Sequence, residues 1–212
     1  LELAPIQGLA PSPDGKELAV ACMDGTALLV DTADGAVLAW VRLGADSALL
    51  CVAWSPDGAT VATGSRSGTV ELWDRATGRT TSWLNMADGG DAVLGLAWSP
   101  DGSGLGVALA GGKVLVIPRG ADKPRLTIPA HSGWARGLAW SPDGRYLASS
   151  GEDRHLRVWR SDTGALYAEQ YHNSLPVWSI AWSPDGAFLS SGAGDRGKPH
   201  VGATIVWKLP RN

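Results

Sequence analysis

The chain has 212 residues, 44% of them hydrophobic and 18% charged, a balance that supports a buried core and excludes a disordered polymer. A formal net charge of −3 gives no electrostatic pull toward a phosphate backbone or an anionic membrane, so neither nucleic acid nor membrane is an expected partner. No run of about 18 apolar residues is present, which excludes a membrane-spanning helix.

Many glycines and prolines punctuate short runs rich in Val, Leu, Ala and Trp, the signature of brief strands joined by tight turns and hence of an all-β chain. The tetrapeptide Ser-Pro-Asp-Gly recurs from Ser12, Ser55, Ser99, Ser141 and Ser183, at intervals of 43, 44, 42 and 42 residues. A turn motif at that period marks a β-propeller, in which each repeat is one small sheet that buries its faces only against its neighbours. The repeats divide the single expected domain, 1–212, into units of approximately 1–43, 44–87, 88–130, 131–172 and 173–212.

In chain order, the first unit turns at Ser12 and carries Val30 eighteen residues later; the second carries Trp73 and the third Ile117 at the same offset. The fourth unit is the clearest. A short apolar run over 137–140 enters the turn Ser141-Pro-Asp-Gly144, a second strand covers 146–150, and Gly151-Glu-Asp153 turns the chain again. A third strand covers 155–159, and Thr163-Gly164 leads into a fourth over 165–170. In the fifth unit Trp207 arrives six residues late, which places an insertion within 192–203 and predicts a loop there. A second series, Trp54, Trp98, Trp140 and Trp182, precedes four of the turns, and both series are expected to fill the space between neighbouring sheets. Cys22 and Cys51 match no zinc spacing and are expected to be small core or turn residues. Their scarcity and the lack of a basic-then-apolar leader lead to an expected cytoplasmic location.

The phrases AWSPDGATVATGSRSGTVELWD (53–74) and AWSPDGRYLASSGEDRHLRVWR (139–160) resemble WD40 repeats, and the likeness covers nearly the whole chain. The resemblance implies a propeller of five four-stranded blades, the last incomplete, and a polar brace of His, Ser or Thr, Asp and Trp in each blade. His131, Ser149, Asp153 and Trp159 match that pattern, and His172, Ser191, Asp195 and Trp207 match it if the insertion is looped out. The second unit keeps only Thr63 and Trp73, with Ala45 and Ser67 at the other two positions. The first keeps Asp24 and the third none. In such rings an N-terminal segment usually supplies the missing outer strand, yet only five residues precede the first innermost strand. The resemblance therefore leaves two expectations, a piece of a longer protein with additional blades or a fused effector domain, or a five-bladed ring with one incomplete blade.

Candidate chemistry is sparse. The stretch Gly192-Ala-Gly-Asp-Arg-Gly-Lys198 starts like a phosphate-binding loop, but Pro199 stands where a Ser or Thr must hold Mg²⁺, and a strand pattern follows instead of a helix. His155 and His200 read as surface residues, no metal-ligand spacing is present, and no nucleophile elbow occurs. The channel-mouth positions Gln7, Leu50, Leu94, Arg136 and Trp178 are not acidic. The chain is thus expected to be no enzyme, with no cofactor, no metal and no catalytic set; a propeller hydrolase would need convergent polar ligands there.

The resemblance assigns partner binding to the face made by the connections into the first strand and between the second and third. Trp134, Arg136, Glu152, Trp178, Arg66 and Met23 fall on it. Arg and Trp dominate binding hot spots, so two tryptophans flanking Arg136 suit an extended peptide with an acidic or aromatic anchor. A competing reading pairs Arg136 with Glu152 and uses the tryptophans as packing. The expected function is a non-catalytic scaffold that binds a peptide or partner domain on this top face; the alternative is the sensor segment of a longer multidomain signalling protein.

Overall fold

The computed structural model describes residues 4–43, 47–85, 91–171, 175–195 and 198–209, with 198–201 as backbone only. All regular structure in them is β. The first sheet holds β1 (Ile6–Pro11), β2 (Glu17–Cys22), β3 (Thr26–Asp31) and β4 (Val37–Arg42). The second holds β5 (Leu49–Trp54), β6 (Thr60–Ser65), β7 (Thr69–Asp74) and β8 (Thr80–Asn85). The third is β9 (Val93–Trp98), β10 (Gly104–Leu109), β11 (Lys113–Pro118) and β12 (Leu126–Pro129), and the fourth β13 (Ala135–Trp140), β14 (Tyr146–Gly151), β15 (His155–Arg160) and β16 (Leu166–Tyr171). The fifth has three strands, β17 (Val177–Trp182), β18 (Phe188–Asp195) and β19 (Lys198–Lys208). Strands follow one another in chain order across every sheet. The chain divides into two compact units, Leu1–Trp98 and Ser99–Asn212.

Each Ser-Pro-Asp-Gly turn closes identically. The serine hydroxyl donates to the aspartate two residues on and accepts the backbone N–H five residues on, as in Ser141 to Asp143 (2.6 Å) and Tyr146 N–H to Ser141 Oγ (2.9 Å). The glycine adopts a positive φ, +72° at Gly144, which a residue with a Cβ reaches only at a cost. The turn therefore fixes the register of the two strands that it joins. Leu18, Val61, Leu105, Leu147 and Leu189 lie opposite Val30, Trp73, Ile117, Trp159 and Trp207.

The turn between the second and third strands uses Gly25, Gly68 and Gly112 at φ of +84°, +85° and +81°, but in the fourth sheet Arg154 takes that position at +67°. A left-handed conformation costs an L-residue about 1–2 kcal/mol, part of which glycine's larger unfolded-state entropy offsets. Arg154→Gly is expected to raise the unfolding free energy by about 0.5–1 kcal/mol, read as a higher urea midpoint at unchanged m-value. A lower midpoint would mean that the Arg154 side chain makes a contact worth more than the strain.

The core within each unit pairs small residues with large ones. In the first unit Ala19, Ala21 and Ala27 on the forward face of the first sheet meet Trp54 and Trp73 on the rear face of the second. In the second unit Ala108 and Val116 meet Trp140 and Trp159, and Ala148 and Val158 meet Trp182 and Trp207. An indole needs a shallow partner surface to reach native packing density, and Ala supplies it. Both cysteines are buried and unbridged; burial pushes the Cys51 thiol up to about 12.

The insertion in the fifth unit is not a loop. β18 and β19 continue their ladder through it, pairing Gly192 with Thr204, Ala193 with Ala203 and Gly194 with Gly202 before a register shift joins Asp195 to Lys198. Added residues at a hairpin tip satisfy their backbone groups by lengthening both strands, whereas a loop would leave those groups to water.

Candidate functional site

The first strand of four sheets carries an irregularity at its start. The register slips between Ile6 and Gly8, Leu49 and Cys51, Ala135 and Leu138, and Val177 and Ser179. The residues skipped include Gln7, Leu50, Arg136 and Trp178, the positions expected at the channel mouth. Bulges re-aim side chains that a regular strand would point into a neighbouring sheet. Just outside each bulge, one backbone hydrogen bond ties the entering segment to the connection between the second and third strands. It runs from Met23 N–H to Pro5 O (2.9 Å), Arg66 to Ala48 (2.9 Å), Glu152 to Trp134 (3.0 Å) and Gly194 to Pro176 (3.2 Å). Within each of these sheets the pairing brings two segments distant in sequence to one end of the sheet, its rim.

In the first unit, Met23 and Arg66 at these connections are both exposed. In the second unit the rim residues contact one another. The Arg136 guanidinium lies between two indoles, 4.5 Å from the ring centre of Trp134 and 4.2 Å from that of Trp178, and its Nη2 donates to Glu152 Oε1 at 3.0 Å. Trp178 Nε1–H donates to Gly194 O at 2.8 Å. Each cation–π contact is worth about 0.5–2 kcal/mol, against about 0–1 for a partly exposed ion pair, so the rings do more to hold Arg136 than the carboxylate does. Arg136 is only 12% exposed and already has a carboxylate partner. It acts as the spacer of the stack, which leaves the 39% exposed Trp134 ring and the part-exposed Glu152 carboxylate as the outward surface. An acidic anchor at Arg136 would have to displace Glu152.

Beneath the rim of the fourth sheet lies a hydrogen-bonded chain. Trp159 Nε1–H donates to Ser149 Oγ (2.9 Å), Ser149 Oγ lies 2.8 Å from His131 Nε2, and His131 Nδ1 lies 2.8 Å from Asp153 Oδ1. The consistent tautomer has the serine hydroxyl donating to Nε2 and Nδ1–H donating to the carboxylate. Arg157, which the repeat pattern does not single out, completes the set, with Nη1 donating to Asp153 Oδ2 (2.7 Å) and Ala130 O (2.7 Å) and Nε to Glu169 Oε1 (2.7 Å). Burial alone would raise the Asp153 pKa, but hydrogen bonds from His131 and Arg157 outweigh it and hold the carboxyl well below the usual range. The Ser–His–Asp order resembles a hydrolytic triad in outline. Ser149 is wholly buried, however, and Trp159 occupies one of its lone pairs, so no substrate carbonyl reaches that oxygen.

The corresponding residues elsewhere differ. In the second sheet Ser65 bonds Ser67 (2.9 Å) and Thr69 (2.6 Å), a hydroxyl cluster in place of the imidazole, while Thr63 reaches only Glu71 O at 3.5 Å. In the first, Asp24 accepts the Thr26 N–H at 3.0 Å. In the fifth, His172 lies outside the described residues, Asp195 sits in the extended hairpin, and the buried Ser191 Oγ makes no hydrogen bond among the described residues, so Trp207 does not bond it. Among the described residues no group of three or more His, Cys, Asp or Glu is placed to hold a metal ion.

A family model described as "WD domain, G-beta repeat" matches residues 3–31, 40–74, 122–160 and 166–197, together more than half of the chain. Among solved structures, the fold is similar to that of a propeller chain in "Crystal Structure of Mitotic Checkpoint Complex", with a TM-score of 0.84 and 23% sequence identity over 97% of this chain. This chain spans 63% of the length of that one. A search of curated proteins finds no match.

Proposed function

The chain belongs to the WD40 repeat family, and from that premise we propose that it is a non-catalytic interaction scaffold whose top rim docks a peptide or a partner domain. The observation that carries this reading is the indole–guanidinium–indole stack of Trp134, Arg136 and Trp178. A bulge turns Arg136 and Trp178 to the rim, and the stack fixes Trp134 with its ring partly open to water. An immobilised aromatic loses little entropy on binding, which is the property that makes Trp a hot-spot residue. The net charge of −3 agrees with a protein partner over nucleic acid or an anionic membrane.

Selection of a random-peptide display library against the protein tests the proposal. Trp134→Ala is expected to weaken the selected peptides at least tenfold while moving the urea midpoint little, because the ring is partly exposed and Arg136 keeps Trp178 and Glu152. Selected peptides that bind Trp134→Ala as well as the parent would overturn the rim assignment.

A further inference from the structure

The repeat builds one groove in the first unit and again in the second, and occupies only the first with a charged pair. In the first unit the groove lies between the turns at Ser12 and Ser55; in the second it lies between the turns at Ser99 and Ser141. Their walls correspond. A Cβ added to Gly58 would lie 3.8 Å from Pro13 Cδ, and one added to Gly144 would lie 3.8 Å from Pro100 Cδ. A tryptophan lines each groove, Trp54 in one and Trp140 in the other, and each immediately precedes its turn. The volumes differ, about 240 Å³ in the first and about 650 Å³ in the second.

What narrows the first groove is the chain's own arginine. Arg75 donates from Nε to Glu17 Oε2 and from Nη2 to Glu17 Oε1, both at 2.7 Å, and Trp54 is buried. In the second unit the positions of Glu17 and Arg75 hold Gly104 and Ser161, too small to fill the space, and Trp140 is left part-exposed. The acids of the turns remain. Asp143 Oδ1 accepts the Ser141 hydroxyl at 2.6 Å and the Arg145 N–H at 3.0 Å, and its Oδ2 makes no hydrogen bond among the described residues. Asp101 comes from the other turn, and the Ser99 hydroxyl and Ser103 N–H hold its carboxyl below the ordinary value. Arg125 also lines the groove, but its Nη1 and Nη2 already donate to Asp162 O (3.1 Å) and Ser161 O (2.8 Å). Two carboxylates against one guanidinium leave negative charge beside a part-exposed indole.

We propose that the groove between the Ser99 and Ser141 turns binds an arginine side chain of a partner protein, which takes from outside the place that Arg75 takes from within in the first unit. The chemistry selects arginine over lysine. A planar guanidinium stacks on an indole and still donates to a carboxylate at its edge, whereas an ammonium is a compact charge that holds its water more tightly. The larger volume leaves room for the residues that flank the arginine. The groove shares no residue with the stack of Trp134, Arg136 and Trp178, so the two assignments stand or fall separately.

The test follows the isotope-labelled whole chain by NMR during titration with an acetylated heptapeptide that carries one central arginine among Gly and Ser. Its citrulline counterpart keeps the shape and loses the charge. The arginine peptide is expected to shift the Gly144 N–H and Trp140 Nε1–H resonances saturably and to bind at least tenfold tighter than the citrulline peptide at low salt. Asp143→Asn keeps the Oδ1 that closes the turn and should weaken binding at least threefold. Ser161→Arg supplies an internal occupant and should abolish binding. No saturable shift, equal binding of the two peptides, shifts confined to the Trp134 rim, or undiminished binding to either variant would each overturn the proposal.

Discussion

Gly112→Ala is expected to lower the unfolding free energy by about 3–5 kcal/mol, among the largest effects open to a single methyl group in this chain. Gly112 has φ +81°, and a Cβ there would be driven into the carbonyl oxygen of His131 and to 2.7 Å from that of Gly133. Neither oxygen can retreat cheaply, because the same segment is pinned by Ala130 N–H and His131 N–H donating to Gly112 O at 3.0 and 2.9 Å. Gly120 supplies the control, since its φ is +80° and nothing lies within 4 Å of its added Cβ. Gly120→Ala should therefore cost only the left-handed penalty, about 1–2 kcal/mol. Urea denaturation of both variants separates strain from collision, and equal losses would show that the close approach of Gly112 to the His131 segment carries no energy.

Asp153→Ala is expected to cost about 3–5 kcal/mol at neutral pH, because it removes the carboxylate acceptor of the buried His131 Nδ1–H and of one N–H of the part-buried Arg157 Nη1, which keeps Ala130 O. Asp24→Ala in the first sheet, which loses one hydrogen bond from Thr26 in an exposed turn, should cost about 1 kcal/mol or less. The two positions correspond in the repeat, so the difference measures what the imidazole and guanidinium add. The pH dependence has a definite sign. The folded pKa of Asp153 lies below its ordinary value of 3.8, so in the interval between them the unfolded chain binds more protons and stability rises with pH. The contribution is intact above about pH 5 and drains away as acid approaches the depressed folded value. The gap between wild type and Asp153→Ala should accordingly narrow from pH 7 to pH 3. A gap that stays constant or widens would exclude an ionised Asp153 as the source of the stabilisation.

Much of the fold is legible along the chain. In the fourth sheet the strands expected at 146–150 and 155–159 are Tyr146–Gly151 and His155–Arg160, because Ser141-Pro-Asp-Gly144 and the apolar spacing after it are local and strong. The chain of His131, Ser149, Asp153 and Trp159 was implied by the resemblance to WD40 repeats, whose polar pattern these four residues match, and not by spacing alone. Arg157 was not, because its position two residues before Trp159 looks like any outward-facing strand residue until the pairing of β15 with β16 brings Glu169 beside it. The insertion at 192–203 misled for a similar reason. Glycines and charges read as loop, and only the growing ladder between β18 and β19 reveals an extended hairpin.

What the amino-acid order determined by itself was governed by short-range chemistry, namely the five turns, the period, the strands of the fourth unit and the tryptophans reserved for packing. The tertiary structure alone decided that Arg136 is caged by Trp134 and Trp178 instead of presented to solvent, and that β18 and β19 carry their ladder on through the insertion. Both depend on register: a one-residue bulge turns a side chain from one face of a strand to the other, and strand pairing is a contact between segments whose separation in sequence carries no trace of it.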